Sequence, residues 1–482
     1  MKLLQKANSN NGYIGNSILI FLIRVFPSLA NILVVVFFSR LLDKSAYGVY
    51  QNFWVNVLLL SAIASLGIQS FIVTYTSSSI ASLLKSMRVS QYLLLVSWVL
   101  LVGVVFGLLQ KAEVGLSVAF AATFLSVYAF SIIFESLLTA FRKFKLLVWL
   151  SLFHTIVFGW LHWLYVNRQV TLKELFVYLL ILGVIRLLPY VYVSFKEIAK
   201  HDKESHDIKA VRRLWLHIGF FEISQRLLTL VDKFIIGLLL SSELFAIYFN
   251  GTIQIPFLPL LLGAVGSAML MQMADDSKQV DEKLIRMVAH SGQVLSAVVF
   301  PLFFFFLIYR YELFHVVFTN KYESAIPIFF VSILVLPLRA YNFTTVLQNR
   351  HRGGLINIGV FIDLLSILLL LYPLYQLFGL PGVALSFVLS SYIQGAYYLY
   401  QTGKLLKVPF YKLIPLKNWL IKLVVFGGVS IGLHYMFVQT FTEQIVLILG
   451  TVVTVVIVVL ALILELKQNS NLDGQSVQKE EA

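Results

Sequence analysis

Leu214–Leu240 reads LWLHIGFFEISQRLLTLVDKFIIGLLL. A bilayer-spanning helix needs about 20 mostly apolar residues. This stretch is long enough, yet it carries Glu222, Arg226, Asp232 and Lys233. Ionisable side chains at membrane depth cost roughly 2.5–3.5 kcal/mol each on insertion scales. They are not scattered. At about 100° per residue, with Glu222 as zero, Arg226 falls at about +40°, Lys233 at about +20°, Thr229 at about −20°, Gln225 at about −60° and Asp232 at about −80°. One polar arc of roughly 120° turns away from lipid, and the rest of the chain reads as its housing.

The surrounding composition fixes the class. The 482 residues are 59% hydrophobic and 12% charged, against about 25% charged in soluble domains. The chain is therefore an all-α polytopic membrane protein. Fourteen spans follow from apolar runs, at 14–38, 50–73, 90–110, 114–140, 146–166, 172–195, 214–240, 246–272, 292–309, 323–349, 354–377, 380–402, 418–438 and 444–466. Lys2 and Lys6 before the first run resemble a signal peptide. That run is too long, holds Arg24 and Pro27, and lacks a small-residue cleavage site, so it is retained as a span.

An even number of spans puts both termini on one side. With the N-terminus cytoplasmic, inside segments hold 24 of the 37 Lys and Arg and outside loops seven, the asymmetry of the positive-inside rule. The net charge of +14 thus reflects topology, not nucleic acid. Lys173, at the outer end of its span, is counted with the outside loop, and the six remaining cations lie deeper within spans: Arg24, Arg186, Arg226, Lys233, Arg339 and Lys422.

The charged break KEIAKHDKESHDIKAVRR, residues 196–213, divides six spans from eight. The expected organisation is a six-helix lobe at 1–195, a cytoplasmic linker at 196–213, a second six-helix lobe at 214–402, an extra helix pair at 403–466, and a disordered cytoplasmic tail at 467–482. An internal match supports two lobes. At a constant offset of 198, Leu41, Leu42, Tyr47, Val49, Tyr50 and Asn52 fall on Leu239, Leu240, Phe245, Ile247, Tyr248 and Asn250. Six spans separate the copies, so both point the same way: a parallel repeat about an axis along the membrane normal.

Tyr13, Ser17, Ser28 and Asn31 all fall within about 40° of Arg24 on the first span. The first helix of each lobe therefore carries a polar stripe with an arginine in it, and under the repeat offset Arg24 and Arg226 differ by one helical turn. Facing stripes would line a central cavity where transporters place substrate. Arg339, beside Pro337 and before Asn342, adds a third cation. The candidate cavity set is Arg24, Ser28, Asn31, Glu222, Arg226, Lys233 and Arg339, with Asp232 and Asp363 as candidate coupling carboxylates.

A blander reading stands beside this one. Glu222 with Arg226, and Asp232 with Lys233, can neutralise each other between packed helices. Arg24 has no acid within a turn or two, and an arginine is always charged. Glu135 is expected to pair with the Arg142, Lys143 and Lys145 cluster, and His154 and His162 to be packed or interfacial. Pro27, Pro337, and Pro256 and Pro259 with Gly263 and Gly266 mark helices expected to bend.

Enzyme motifs are missing: no Walker loop, GxSxG or HExxH occurs. Zero cysteines exclude disulfides and thiolate chemistry. We expect no enzyme, no metal site and no resident cofactor, with Na+ or H+ as a coupling ion left open.

Several segments in order resemble a family. SRLLDKSAYGVYQNF (Ser39–Phe53), LGIQSF (Leu66–Phe71), VDKFIIGLLLSSELFAIY (Val231–Tyr248), FTNKYESAIPIF (Phe318–Phe329) and the long stretch Gly354–Tyr392 resemble bacterial polysaccharide flippases of the Wzx type. These belong to the multidrug/oligosaccharidyl-lipid/polysaccharide exporter superfamily. The resemblance implies two six-helix bundles in a MATE-like V shape and alternating access through a cationic cavity. It implies a substrate of undecaprenyl-diphosphate-linked oligosaccharide, such as an O-antigen or exopolysaccharide repeat unit. Transport would run from the cytoplasmic to the periplasmic leaflet of the bacterial inner membrane. Arginines on the first and seventh helices are typical of the family, and Arg24 and Arg226 occupy those helices here. The expected partners are the lipid-linked substrate, the bilayer and other polysaccharide-assembly proteins, with the chain a monomer. Three alternatives remain: a lipid II flippase, a drug–cation antiporter of the same superfamily, and a membrane polymerase or ligase. The antiporter needs cavity carboxylates that the first span lacks. The polymerase or ligase needs a large polar outer loop that the chain lacks.

Overall fold

Asp43 ends one helix and starts the next. Its carboxylate accepts a hydrogen bond from the Ala46 N–H at 3.1 Å, satisfying a donor that every helix start leaves orphaned. At the offset of 198, Ser241 holds the same place. Its Oγ accepts from the Leu244 N–H at 3.4 Å, between helices Ile208–Leu239 and Ser242–Gly251. The repeat read from apolar and aromatic matches thus extends to a cap in the same register. Tyr47, Tyr50 and Asn52, and their counterparts Phe245, Tyr248 and Asn250, are all buried.

The computed structural model describes residues 2–113, 115–202, 207–253, 258, 262, 263, 265, 266, 269, 273 and 281–480. The described chain is α1 (Lys2–Leu41), α2 (Lys44–Ser65), α3 (Ile68–Ile72), α4 (Ser77–Ser86), α5 (Val89–Glu113), α6 (Val118–Ala140), α7 (Phe144–Val166), α8 (Leu172–Ala199), α9 (Ile208–Leu239) and α10 (Ser242–Gly251). It continues as α11 (Asp281–Ile308), α12 (Arg310–Val317), α13 (Ile326–Ile333), α14 (Thr345–Asn349), α15 (Gly353–Phe378), α16 (Leu380–Leu406), α17 (Leu416–Thr440) and α18 (Glu443–Glu480). The architecture is all-α. Ten helices among the described residues are long and apolar enough to cross a membrane. Of the other four expected spans, 246–272 lies largely outside the described residues. The remaining three, α2, α9 and α16, are diluted by polar residues, such as the buried Gln51, Asn52, Asn56, Ser61 and Ser65 of α2.

Contacts divide the chain into two units, Met1–Ala246 and Ile247–Ala482. The sequence reading placed the division at 196–213. In the structure that break shortens, because α8 runs to Ala199 and Asp207 caps α9 by accepting from the Lys209 and Ala210 N–H groups. Helix α9 lies with the first unit because small residues let it approach α2 along its length. A Cβ on Gly48 would fall 1.9 Å from Ser242 O, and one on Gly237 2.2 Å from Asn52 Oδ1. Gly67, at φ +68°, brings the turn after α2 to within 2.4 Å of Gly219 Cα by the same measure, and Trp215 Nε1 donates to Leu66 O at 3.0 Å. That turn is also why the expected span 50–73 ends at Ser65: Leu66 and Gly67 both adopt left-handed backbone.

Within the first unit, Phe53 packs on Phe176 with centroids 4.0 Å apart, flanked by Tyr50, Phe106 and Phe124. Pro27 sits inside α1. A proline cannot donate to the carbonyl four residues back. That carbonyl, Ile23 O, instead accepts from Ser151 Oγ on α7 at 3.1 Å, a side-chain repair of the kind a spanning helix needs.

In the second unit α15 and α16 form a close hairpin. A Cβ on Gly382 would fall 1.9 Å from Leu374 O, and one on Gly359 2.2 Å from the Tyr398 ring. The expected continuous span 323–349 is instead broken. A 3-10 turn (Asn320–Ala325) leads into α13, a second one (Leu336–Ala340) holds Pro337, and Tyr341 is extended before α14 begins. Helix α18 runs on to Glu480, into the segment read as a disordered tail. Extending an existing helix adds one bond per residue without a new nucleus. Pro256 and Pro259 lie outside the described residues.

Candidate functional site

Arg24 lies on the candidate span Phe21–Leu41. Around α1, with Arg24 as zero, the buried residues Ile23, Ala30, Val34 and Phe38 occupy about −120° to −40°. The exposed apolar residues Leu29, Leu33 and Phe37 occupy about 140° to 220°. Arg24, Ser28 and Asn31 are exposed on a third face, between about −20° and +40°, bordered by Phe21 at about +60°. The polar face is thus set apart from the broad apolar one. Ser28 Oγ donates to Arg24 O at 2.7 Å, and Arg24 makes no ion pair among the described residues. The side chains of Tyr13 and Ser17 lie outside the described residues.

On α9 the four charges separate into two behaviours. Asp232 and Lys233 are buried, with Lys233 Nζ 3.6 Å from Asp232 Oδ2, so this pair matches the mutual-neutralisation alternative. Glu222 and Arg226 do not pair among the described residues despite their spacing. Glu222 is half-buried and Arg226, beside Gln225, is exposed. Arg226 and Arg186 both lie within electrostatic range of the Tyr128 hydroxyl on α6.

Glu135 does not join the Arg142, Lys143 and Lys145 cluster as expected. It meets Arg186 of α8, with Arg186 Nη2 2.5 Å from Glu135 Oε2, because α6 and α8 pack side by side and present the two groups to each other. The Lys143 ammonium instead finds Glu197 at 3.0 Å, which also takes Lys200 at 2.6 Å. His162 is a packed core residue as expected. Its Nδ1 donates to Phe158 O at 2.6 Å, and its Nε2 accepts from the Tyr50 hydroxyl at 2.6 Å. His154 lies within electrostatic range of Arg186.

In the second unit Arg339 is exposed on the 3-10 turn after Pro337. It lies within electrostatic range of Asp363 on α15. Asp363 is 4% exposed and hydrogen-bonds with Ser390 of α16, while its Oδ1 has no partner among the described residues. No group of three or more His, Asp or Glu side chains fit to hold a metal occurs among the described residues.

The sequence reading missed a second polar centre. Lys422 Nζ donates to Gln293 O at 2.6 Å, Ser296 Oγ at 2.9 Å and Glu465 Oε1 at 2.8 Å. Asn418 Nδ2 adds a bond to the same Glu465 oxygen at 3.2 Å. His434 meets Glu312 at 2.7 Å, and His315 meets Glu443 at 3.2 Å. These contacts fasten α17 and α18 to α11 and α12. Opposite charges inside the last two apolar runs were the available signal.

Residues 37–327 match the model of a family described as polysaccharide biosynthesis protein. Among curated proteins none matches. Among solved structures, the chain is similar to the lipid II flippase MurJ in an inward closed conformation. That match has 15% identity, covers 94% of this chain and 98% of that one, and has a TM-score of 0.64. An outward-facing multidrug resistance MATE family transporter of the MOP superfamily matches at 15% identity over 81% of this chain and 94% of its own, with a TM-score of 0.53. An inward-facing one matches at 12% identity over 79% and 94%, with a TM-score of 0.52.

Proposed function

The chain belongs to the polysaccharide biosynthesis protein family, and from that premise we propose that it is a flippase for undecaprenyl-diphosphate-linked oligosaccharide. It accepts the lipid at the cytoplasmic leaflet of a bacterial inner membrane and releases it at the outer leaflet by alternating access. Both termini lie in the cytoplasm, and the chain acts as a monomer. The observation that supports this most is the state of Arg24 and Arg226: both are exposed, and neither has an ion-pair partner among the described residues. A guanidinium kept in a spanning helix without a counter-ion is costly. A diphosphate, with about two negative charges and planar arrays of oxygens, offsets that cost when it enters. In the first unit Ser28, Asn31 and Glu222 complete the polar surface, and in the second unit Arg339, on a broken segment, is a further exposed cation. Lys233, held by Asp232, serves the packing of α9.

A membrane potential negative inside favours outward movement of the anion by about 2.3 kcal/mol per charge per 100 mV. Asp363 is our candidate for ion coupling, since it is buried with no ion pair among the described residues, while Asp232 has Lys233 beside it at 3.6 Å. Transport in proteoliposomes that ignores imposed proton and sodium gradients would remove that role. A drug–cation antiporter would present acid on the α1 face, where this chain presents Arg24. A lipid II flippase shares the diphosphate chemistry, and the family description favours the polysaccharide substrate. The test in cells is replacement of Arg24 and Arg226 by alanine. Surface polysaccharide should be lost and the lipid-linked intermediate should accumulate. Normal polysaccharide from well-expressed variants would refute the reading.

A further inference from the structure

Arg186 is a cation on a candidate span of the first unit whose charge is answered by an acid from another span. It lies on Leu172–Ala199 and Glu135 on Val118–Ala140. Their contact is single. Arg186 Nη2 meets Glu135 Oε2 at 2.5 Å, while Arg186 Nε–H goes to the Tyr190 hydroxyl at 2.9 Å and the guanidinium lies over the Tyr190 ring at 5.4 Å. Tyr190 is fully buried, so it fixes the stem of Arg186 and sets the plane of its head. Of the five N–H donors on the group, two are engaged by described residues.

The acid side is looser. Glu135 retains 33% side-chain exposure against 18% for Arg186. It binds end-on, not across the fork that gives Arg–carboxylate pairs their strength. Around the pair stand Tyr128 of α6, His154 of α7 and, within range of Tyr128, Arg226 of α9. Four helices of one unit therefore bring two guanidiniums, two phenols and an imidazole to one region, with one displaceable carboxylate among them.

We propose that Glu135 is a built-in counter-ion that occupies the anion position on Arg186 and is displaced when the lipid diphosphate arrives. This rests on the flippase reading above and deepens it by naming a further ligand for the diphosphate. In the empty protein Glu135 offsets the cost of a charged Arg186 at membrane depth. On entry, a diphosphate with about two charges outcompetes one monodentate carboxylate and spans the open edge of the fork. On release Glu135 returns, so the affinity is held low enough for the lipid to leave. Removing the carboxylate charge should therefore tighten binding and slow release, whereas a merely structural ion pair would lose stability and leave affinity unmoved.

The experiment uses the full chain purified in detergent, with farnesyl diphosphate as the probe and Kd read by titration calorimetry. Glu135→Gln should bind about tenfold tighter, the scale of one charge-assisted contact. Arg186→Ala should bind at least about tenfold weaker, and the double variant should behave as Arg186→Ala does. Should the Gln variant fail to accumulate, Glu135→Asp, which withdraws the carboxylate by one methylene, must still tighten binding. An unchanged or weaker Kd in either folded Glu135 variant, with binding lost in Arg226→Ala, overturns this inference and leaves the flippase reading standing. Absence of probe binding in the parent protein and every variant overturns both.

Discussion

Lys422 and Glu465 make the sharpest test of how the last two helices are held. The ammonium has three N–H donors, and the structure supplies three acceptors: Gln293 O, Ser296 Oγ and Glu465 Oε1. Both side chains are about one-tenth exposed, at 10% and 8%. Lys422→Met fills similar volume but takes away the ammonium that Glu465 Oε1 meets at 2.8 Å in a buried site. Breaking a buried pair from one side costs about 3–5 kcal/mol. Interhelical hydrogen bonds in membranes average only about 0.6 kcal/mol, so the lost ammonium charge, not the lost bonds, dominates the expected loss. Taking the lower end, about 3 kcal/mol corresponds to roughly 6–12 °C for a unit of this size. The double variant Lys422→Met/Glu465→Leu removes both charges and should return to within about 2–3 °C of the parent, because an apolar replacement of a buried pair is often neutral. The assay is thermal unfolding in detergent followed by size-exclusion fluorescence. Equal destabilisation by the single and double variants would refute the reasoning, since it would show that packing alone carries the contact.

Gly67→Ala combines a left-handed backbone with a Cβ only 2.4 Å from Gly219 Cα. It should cost more than the roughly 1–2 kcal/mol of the backbone term alone and lower the melting temperature accordingly. Asp43→Ala should cost about 1 kcal/mol as a lost cap, and so, at the same scale or less, should Ser241→Ala at the matching place in the repeat. Ser151→Ala should cost about 0.5–1.5 kcal/mol, because Pro27 leaves Ile23 O without a backbone donor. In a Pro27→Ala background, where residue 27 regains its N–H, the same change should cost nothing measurable by the same unfolding assay.

Charge and apolar runs were enough to read a multi-pass helical protein, and the match at offset 198 anticipated matching breaks at Asp43 and Ser241. What each run says about itself is intrinsic: length, polarity, and one stripe. Partner choice is not intrinsic. Glu135 had three nearby cations along the chain and took Arg186 on another helix, because α6 and α8 are neighbours in space. The placement of α9 and α10 against α2 depends on Gly48, Gly67, Gly219 and Gly237 being small where the chains meet, and no one-dimensional pattern distinguishes those glycines from others. The break at 320–349 was half visible. Pro337 announced a bend, but two 3-10 turns and an extended Tyr341 express how that segment packs in the second unit. On α9, spacing alone put both charge pairs on equal terms. The structure pairs Asp232 with Lys233 and leaves Glu222 and Arg226 apart.

Transbilayer movement in proteoliposomes tests the central claim most directly. A labelled undecaprenyl-diphosphate oligosaccharide is loaded into one leaflet, and its appearance in the other is followed for the parent and for Arg24→Ala/Arg226→Ala at matched reconstitution. Losing charge-assisted contacts worth about 1.5–3 kcal/mol each should slow the variant by at least about tenfold. Parent-like flipping by a folded double variant would contradict the account.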